Sequence, residues 1–362
     1  MKKKICFFSG DITRGGGTER VATMIANELD KQGRFEVLFL SLVEQKKELF
    51  YPLNTTIARY TLGNRWIQPG PGYLPLIGKL RRFAKEQNID VLVDIDIVLD
   101  ILSIPATKKL KTKVLSWEHF NLQYEYSMLY RKLILKYSVK RSDYIVTLTE
   151  CDKKSYGQYL DRKDNIEVIY NPIQENIFVN DLDREKWIVT AGSLIKRKGV
   201  HFVAEMAAHI LPKYKEWKWL LLGEGPERGY LEDKIKEYGL EKQLVLKGMV
   251  NNVGDYLDKA SVYVMASEFE GLPMVLLEAK THAVPCISFD IYTGPAEIIK
   301  DGEDGYLIPP FDCEEMEQKI ELLMRDEQLR QNFSAATQAS LDKFRMNTIM
   351  QKWNEVLEKL CG

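Results

Sequence analysis

Short apolar runs alternate with amphipathic helical patterns along nearly the whole chain, and they do so in two successive series. In the first half, Ile5–Ser9, Phe35–Ser41, Asp90–Val93, Val114–Trp117 and Ile145–Leu148 read as strands, with helices over Glu19–Lys31 and Leu76–Gln87. In the second, Trp187–Ala191, Trp219–Gly223, Leu244–Lys247, Val262–Ala266, Pro285–Phe289 and Tyr306–Ile308 read as strands with helices between them. Alternation of this kind calls for a parallel sheet covered by helices on both faces, formed twice. A chain of 362 residues is also too long for one ordinary core. The two halves meet at Asn171-Pro172, where VIYNPI ends a strand in a turn dipeptide and polar NDLDREK follows. The last segment, Asn347–Leu360, places Trp353, Val356, Leu357 and Leu360 at helical spacing.

Ligands of such sheets bind beyond the carboxyl ends of the strands, so the segments there carry the chemistry. DITRGGGTER, residues 11–20, leaves the first strand and opens a helix, where three glycines and free helical N–H groups suit an anion. It is not a dinucleotide fingerprint, because Arg20 stands at the third glycine position, and no Gly-Lys-Ser/Thr follows. AGSLIKRKGV, residues 191–200, sets Lys196, Arg197 and Lys198 past a strand end, a composition able to neutralise a diphosphate. GEGPERGYLE, residues 223–232, and YTGPAEIIKDGEDG, residues 292–305, add turns at the same rim, and SWEHFN places His119 past a strand of the first half.

SEFEGLPMVLLEA, residues 267–279, follows the strand Val262–Ala266. Pro273 suits the first helical position, and the helix it opens turns unpaired N–H groups to the rim. Glu278 lies on that helix, and Glu270 stands eight positions earlier in the loop. A carboxylate buried there needs donors, which sugar hydroxyls supply, although a neighbouring Lys or Arg would serve as well. Asp94-Ile95-Asp96 has an Asp-x-Asp spacing that can hold a divalent cation. The same alternation describes a strand leaving a core, and no second cluster of ligands supports a metal.

Hydrophobic content of 45% and charged content of 28% belong to a soluble globular chain, and no apolar stretch reaches the length of a membrane span. MKKKICFFSG begins like a signal peptide but breaks at Ser9-Gly10-Asp11, too early for one. Five scattered cysteines without a CxxC pair argue for a reducing compartment and against zinc or a disulfide framework. Residues 1–170 carry 28 Lys+Arg against 20 Asp+Glu, while the remainder is acidic by nine charges. The halves are thus expected to meet different partners. Arg65-Trp66, Tyr73-Leu74-Pro75-Leu76 and Lys79-Leu80-Arg81-Arg82-Phe83 mix cations with apolar groups in a way suited to an anionic membrane surface.

The ordered set GGGTER, EHFN, NP, GSLIKRKG, GEGP, SEFEGLPMVLLEA and GPAEII resembles the retaining glycosyltransferases of family 4 over nearly the whole chain. The tridecapeptide is similar to that family's Glu-x7-Glu signature. The resemblance implies the GT-B fold: two Rossmann-like, doubly wound α/β domains facing a cleft, residues 1–172 for the acceptor and 173–345 for the nucleotide sugar. Residues 346–362 would form a helix crossing back to the first domain. It implies that Arg197 and Lys198 bind the diphosphate, that Gly16 and Gly17 offer backbone contacts, and that Glu278 holds the ribose. Val250 would line the base. Glu270, with the backbone of Leu272, Pro273 and Met274, would hold the donor sugar, and His119 would bond it near the anomeric carbon. Many relatives carry Arg where this chain has Ser193, so Arg197 is expected to take over one phosphate contact.

The function expected on these grounds is glycosyl transfer with retention and without a metal or other cofactor. The donor would be a nucleotide-diphosphate sugar, UDP-linked, and the acceptor a saccharide, lipid-linked, in surface-polysaccharide synthesis. The expected location is cytoplasmic with peripheral contact at the inner membrane face, and no nucleic-acid partner is expected. Three other readings are a nucleotide-sugar 2-epimerase, a nicotinamide dehydrogenase disfavoured by the failed fingerprint, and a non-catalytic nucleotide-sugar sensor.

Overall fold

The first apolar run becomes β1 (Lys4–Ser9), whose side chains from Ile5 to Ser9 are all buried. Around it assemble β2 (Glu36–Ser41), β3 (Ala58–Thr61), β4 (Val91–Ile95), β5 (Lys113–Trp117), β6 (Tyr144–Thr147) and β7 (Ile166–Val168). The computed structural model describes residues 2–63, 72–122, 128–173 and 184–362. Among these, the first sheet has seven strands in the order β3-β2-β1-β4-β5-β6-β7, every pairing parallel. Its crossovers include α1 (Gly17–Gln32), α2 (Tyr73–Glu86), α3 (Asp100–Thr107), α4 (Leu129–Arg141) and α5 (Glu150–Leu160). The edge strand β3 is absent from the expected set because Ala58, Arg59 and Thr61 are exposed, so no apolar run marks it.

The second sheet pairs β8 (Trp187–Ala191), β9 (Lys218–Leu222), β10 (Leu244–Gly248), β11 (Val262–Met265), β12 (Cys286–Phe289) and β13 (Gly305–Ile308) in the order β10-β9-β8-β11-β12-β13, again parallel. It is covered by α6 (Val200–Ile210), α7 (Arg228–Glu237), α8 (Gly254–Leu257), α9 (Met274–Thr281), α10 (Pro295–Ile298), α11 (Cys313–Arg325) and α12 (Glu327–Ala336). In both sheets the strand order reverses beside the first strand, between β1 and β4 and between β8 and β11. Loops diverge at such a point and leave room for a ligand.

Contacts divide the chain into Met1–Pro172 with Met346–Gly362, and Ile173–Arg345. The last helix, α13 (Met346–Cys361), therefore belongs to the first unit although it follows the second in sequence. Its Trp353 is fully buried, with ring centroids 4.8 Å from Trp117 and 6.3 Å from Phe7. Edge-to-face aromatic packing of this kind adds to the burial of large apolar surface.

Asp94 and Asp96 do not converge. Asp94 is buried at the end of β4, accepting from Ser103 Oγ at 2.8 Å beside Asp100, and burial followed by Asp100 holds its carboxyl well above the usual range. Asp96 turns instead to Arg131, whose Nη2 donates at 2.9 Å. Of the segment read as membrane-facing, Tyr73, Leu76 and Leu80 are buried, and Arg81 Nη1 donates to the Ala106 and Lys108 carbonyls at 2.8 Å. Leu74, Lys79 and Arg82 remain exposed, while Arg65 and Trp66 lie outside the described residues. No described helix is long and apolar enough to cross a membrane.

Replacing Trp353 with Ala removes the anchor that joins the chain's end to the first sheet. It is expected to destabilise that unit by about 3–5 kcal/mol, read as a lowered urea midpoint, with Trp353→Phe losing less.

Candidate functional site

The loop leaving β8 is drawn against the loop leaving β11 by a glycine. Gly199, with φ of 67°, lies so close to β11 that a Cβ would stand 1.8 Å from the Ala266 carbonyl oxygen. No other residue meets both the left-handed conformation and the missing space. The approach aligns the turn Lys196–Lys198 with the Glu-bearing loop. Glu268 N–H donates to the Arg197 carbonyl at 2.9 Å, and Lys198 Nζ donates to Glu270 Oε1 at 2.5 Å. A third loop, leaving β12, locks onto these two. Thr293 Oγ1 donates to the Glu270 carbonyl at 2.7 Å, and Gly294, at φ 102°, leaves a gap that a Cβ would close to 2.5 Å from the Gly271 carbonyl oxygen.

Helix α9 starts at Met274, with Pro273 as its cap in extended conformation (φ −74°, ψ 101°). Proline is thus one position earlier than expected, since its ψ lies outside the helical range. A helix N-terminus still leaves its first donors without partners inside the helix. Lys280, two residues after Glu278, lies on the opposite side of the helix. It is fully buried and donates at 2.6 Å to Asp304 Oδ2, to the Ile298 carbonyl and to Ser340 Oγ. This fixes α9 in rotation and leaves Glu278 half-buried toward the other side.

Both glutamates lie within electrostatic reach of one buried ring. Burial first pushes the Tyr263 phenol well above its usual range, a bond with Ala191 opposes this, and Cys286, Glu278 and Glu270 add to the rise. A small depression beside them is lined by Gly192, Ser193, Lys198, Ser267 and Val275. Ser193 is exposed at its mouth, and Arg197 is half-buried in the same turn. Leu272 and Pro273 are buried, and Met274 is half-buried. Val250, half-buried after β10, stands farther along the rim because β9 separates β10 from β8. Sequence reasoning missed Tyr263, Thr293 and Lys280. Thr293 precedes a Gly-Pro turn, which marks it as a loop anchor, but a buried lysine inside LLEAKTHA carries no such signal.

In the first unit, Gly16 caps α1, and a Cβ there would stand 2.3 Å from Glu19 Oε2. Gly17 opens onto free space. Glu19, a further missed residue, is buried and paired with Arg14 Nη2 at 3.0 Å, and burial raises its carboxyl above the usual range. Its place three residues after a helix cap is a signal available in the sequence. His119 follows β5 and is buried, its ring 4.5 Å from that of Trp117. Burial pulls its pKa from 6.5 down to about 3, so the imidazole is neutral. Its loop is fixed by Phe120 N–H donating to Glu118 Oε1 at 2.8 Å, and by the Arg131 guanidinium 4.9 Å above the Phe120 ring.

Among the described residues, no group of three or more His, Cys, Asp or Glu side chains gathers in metal-binding geometry. The site of the second unit thus concentrates two cations, two carboxylates and a helix N-terminus at a switch point. Such a set can neutralise an anion while accepting from hydroxyls.

The family model for glycosyl transferases group 1 matches residues 172–340, and that for glycosyltransferase family 4 matches residues 15–176. The chain is 29% identical over 371 residues to the amylovoran biosynthesis glycosyltransferase AmsD of Erwinia amylovora, covering 99% of this chain and 100% of the relative. It is 26% identical over 366 residues to a GalNAc-alpha-(1->4)-GalNAc-alpha-(1->3)-diNAcBac-PP-undecaprenol alpha-1,4-N-acetyl-D-galactosaminyltransferase of Campylobacter jejuni, covering 99% of each. Its fold is shared with the crystal structure of Anabaena Alr3699/HepE in complex with UDP, at a TM-score of 0.80 and 18% identity, over 99% of this chain and 100% of that one. The chain belongs to the family 4 glycosyltransferases and has their GT-B fold of two Rossmann-like domains.

Proposed function

We propose that the enzyme transfers a sugar, with retention of anomeric configuration, from a UDP-sugar to a lipid-linked saccharide. The observation that carries this reading is the pairing of Lys198 with Glu270 beside the N-terminus of α9. One ammonium and one carboxylate held 2.5 Å apart fit a ligand that is anionic at one end and rich in hydroxyls at the other. A sugar diphosphate has that character. Lys198 and Arg197 neutralise the diphosphate, the first as a point charge and the second as a fork. The free N–H groups of α9 add to the field where leaving-group charge develops. Glu270 accepts from the sugar hydroxyls and Glu278 from the ribose, while Val250 borders the base. Ser193 leaves Arg197 as the guanidinium of this loop.

In the first unit, Gly16 and Gly17 offer backbone N–H groups at the start of α1 to a ligand, and neutral His119 can bond a hydroxyl. The acceptor hydroxyl attacks the anomeric carbon from the leaving-group face as the bond to the diphosphate breaks, and the departing phosphate oxygen takes its proton. No cofactor is assigned. The undecaprenol-linked substrate in the name of the Campylobacter relative supports a lipid-linked acceptor.

A thermal-shift series with UDP-, GDP- and ADP-sugars and NADH tests the donor. A UDP-sugar at about 100 times its Kd is expected to stabilise the protein by about 2.7 kcal/mol. Stabilisation by NADH alone, or by none of these, contradicts the reading, and epimerised sugar formed without acceptor favours an epimerase.

The neutral state of His119 gives a second test. Its folded pKa is depressed, so on acidification below 6.5 the unfolded chain takes up a proton that the folded chain refuses until about pH 3. Wild type should therefore lose stability between pH 7 and pH 5 relative to His119→Gln, read from urea midpoints. A difference independent of pH contradicts a buried neutral imidazole.

A further inference from the structure

Helix α4 has apolar groups on two opposite faces, and among the described residues only one of them is packed. Ile134, Leu135, Ser138 and Val139 point inward, with Leu135 and Val139 in a cluster that includes Ile97, Ile145 and Tyr156. The other face bears Leu129, Tyr130, Leu133 and Tyr137, all exposed, Leu129 to 74% and Leu133 to 60%. Four large apolar side chains within nine residues form a concentrated patch, unlike the scattered exposed residues of an ordinary surface.

The polar complement of this face is of one sign. LYRKLILKYSVKR holds five cations and no acid. Arg131 is turned inward to Asp96, while Lys136, Lys140 and Arg141 are exposed around the leucines. An apolar strip with tyrosines, flanked by long cationic side chains, matches the boundary of an anionic bilayer. Leucine enters the acyl region, tyrosine sits at headgroup depth, and the lysine stems lie along the apolar surface with their charges at the phosphates. A second copy of the same face would bring these cations against one another. The net positive charge of residues 1–170 has the same sign as the face.

We propose that the outer face of α4 docks this enzyme on an anionic lipid surface. The assignment rests on the reading of a lipid-linked acceptor and names the surface that delivers it. The same helix holds the His119 loop through Arg131 and Phe120, so the docked face and that loop are joined by one rigid element.

Co-sedimentation with phosphatidylcholine vesicles, and with vesicles that also contain phosphatidylglycerol, tests the assignment on the full chain. Wild type is expected to pellet with the anionic vesicles at low salt and to be released by high salt. Lys136→Gln with Lys140→Gln should weaken this partition about thirtyfold. Leu129→Gln with Leu133→Gln should weaken it about tenfold or more. The nucleotide-sugar thermal shift, measured on the same variants, separates this claim from the donor assignment: lost vesicle binding with an unchanged shift supports the face. Vesicle binding that is absent, or equal in wild type and both variants, overturns it. So does a dimer in sedimentation velocity that the leucine variant dissolves, or a parallel loss of vesicle binding and thermal shift.

Discussion

The contact between Lys198 and Glu270 depends on nearly every local feature of the second unit. It requires the loop after β8 to lie against the loop after β11, which Gly199 permits by having no side chain where the Ala266 carbonyl passes. It requires the Glu270 backbone to be held from behind, which Thr293 does from the loop after β12. It also requires α9 to be fixed in rotation, and the buried Lys280–Asp304 pair fixes it. That pair is costly to desolvate and tolerable only because Ile298 and Ser340 complete the ammonium's hydrogen bonds. One lysine therefore serves the architecture, and another on a neighbouring loop is the one proposed to serve the ligand.

The fold was largely legible because buried parallel strands leave continuous apolar runs with helical patterns between them, as from Val262 to Met265. What escaped were elements whose residues do not see the core. Strand β3 sits at an edge with most of its side chains in water, and its pairing with β2 is a backbone matter that leaves little trace in composition. The stretch from Tyr73 to Phe83 reads two ways. Its mixture of cations and apolar groups describes a helix with one face in the core as well as one lying on a membrane. Helix α4 shows the difference, since its apolar residues fall on both sides and only one side is packed.

The site was legible as a set of loops and less so as a set of contacts. Strand ends carrying Gly, Lys, Arg and Glu point to a rim, and the rim gathers Ser193, Lys198, Glu270 and the start of α9 as the sequence implies. Pairings between residues far apart in sequence, such as the 72 positions between Lys198 and Glu270, have no local signature. The same holds for His119. Its position past β5 could be read, but its depressed pKa arises from burial beside Trp117, which depends on how the terminal helix brings Trp353 against that ring.

The central claim is that Lys198 meets the donor's diphosphate while Glu270 meets its sugar. Calorimetric titration of UDP into wild type, Lys198→Ala and Glu270→Ala separates the two roles, because UDP carries the diphosphate without the sugar. Loss of a charge-assisted bond should weaken UDP binding by Lys198→Ala about ten- to a hundredfold. Glu270→Ala should leave UDP affinity unchanged or raise it, since a competing carboxylate is removed from the ammonium. UDP binding untouched by the lysine substitution, or abolished by the glutamate one, would contradict the account.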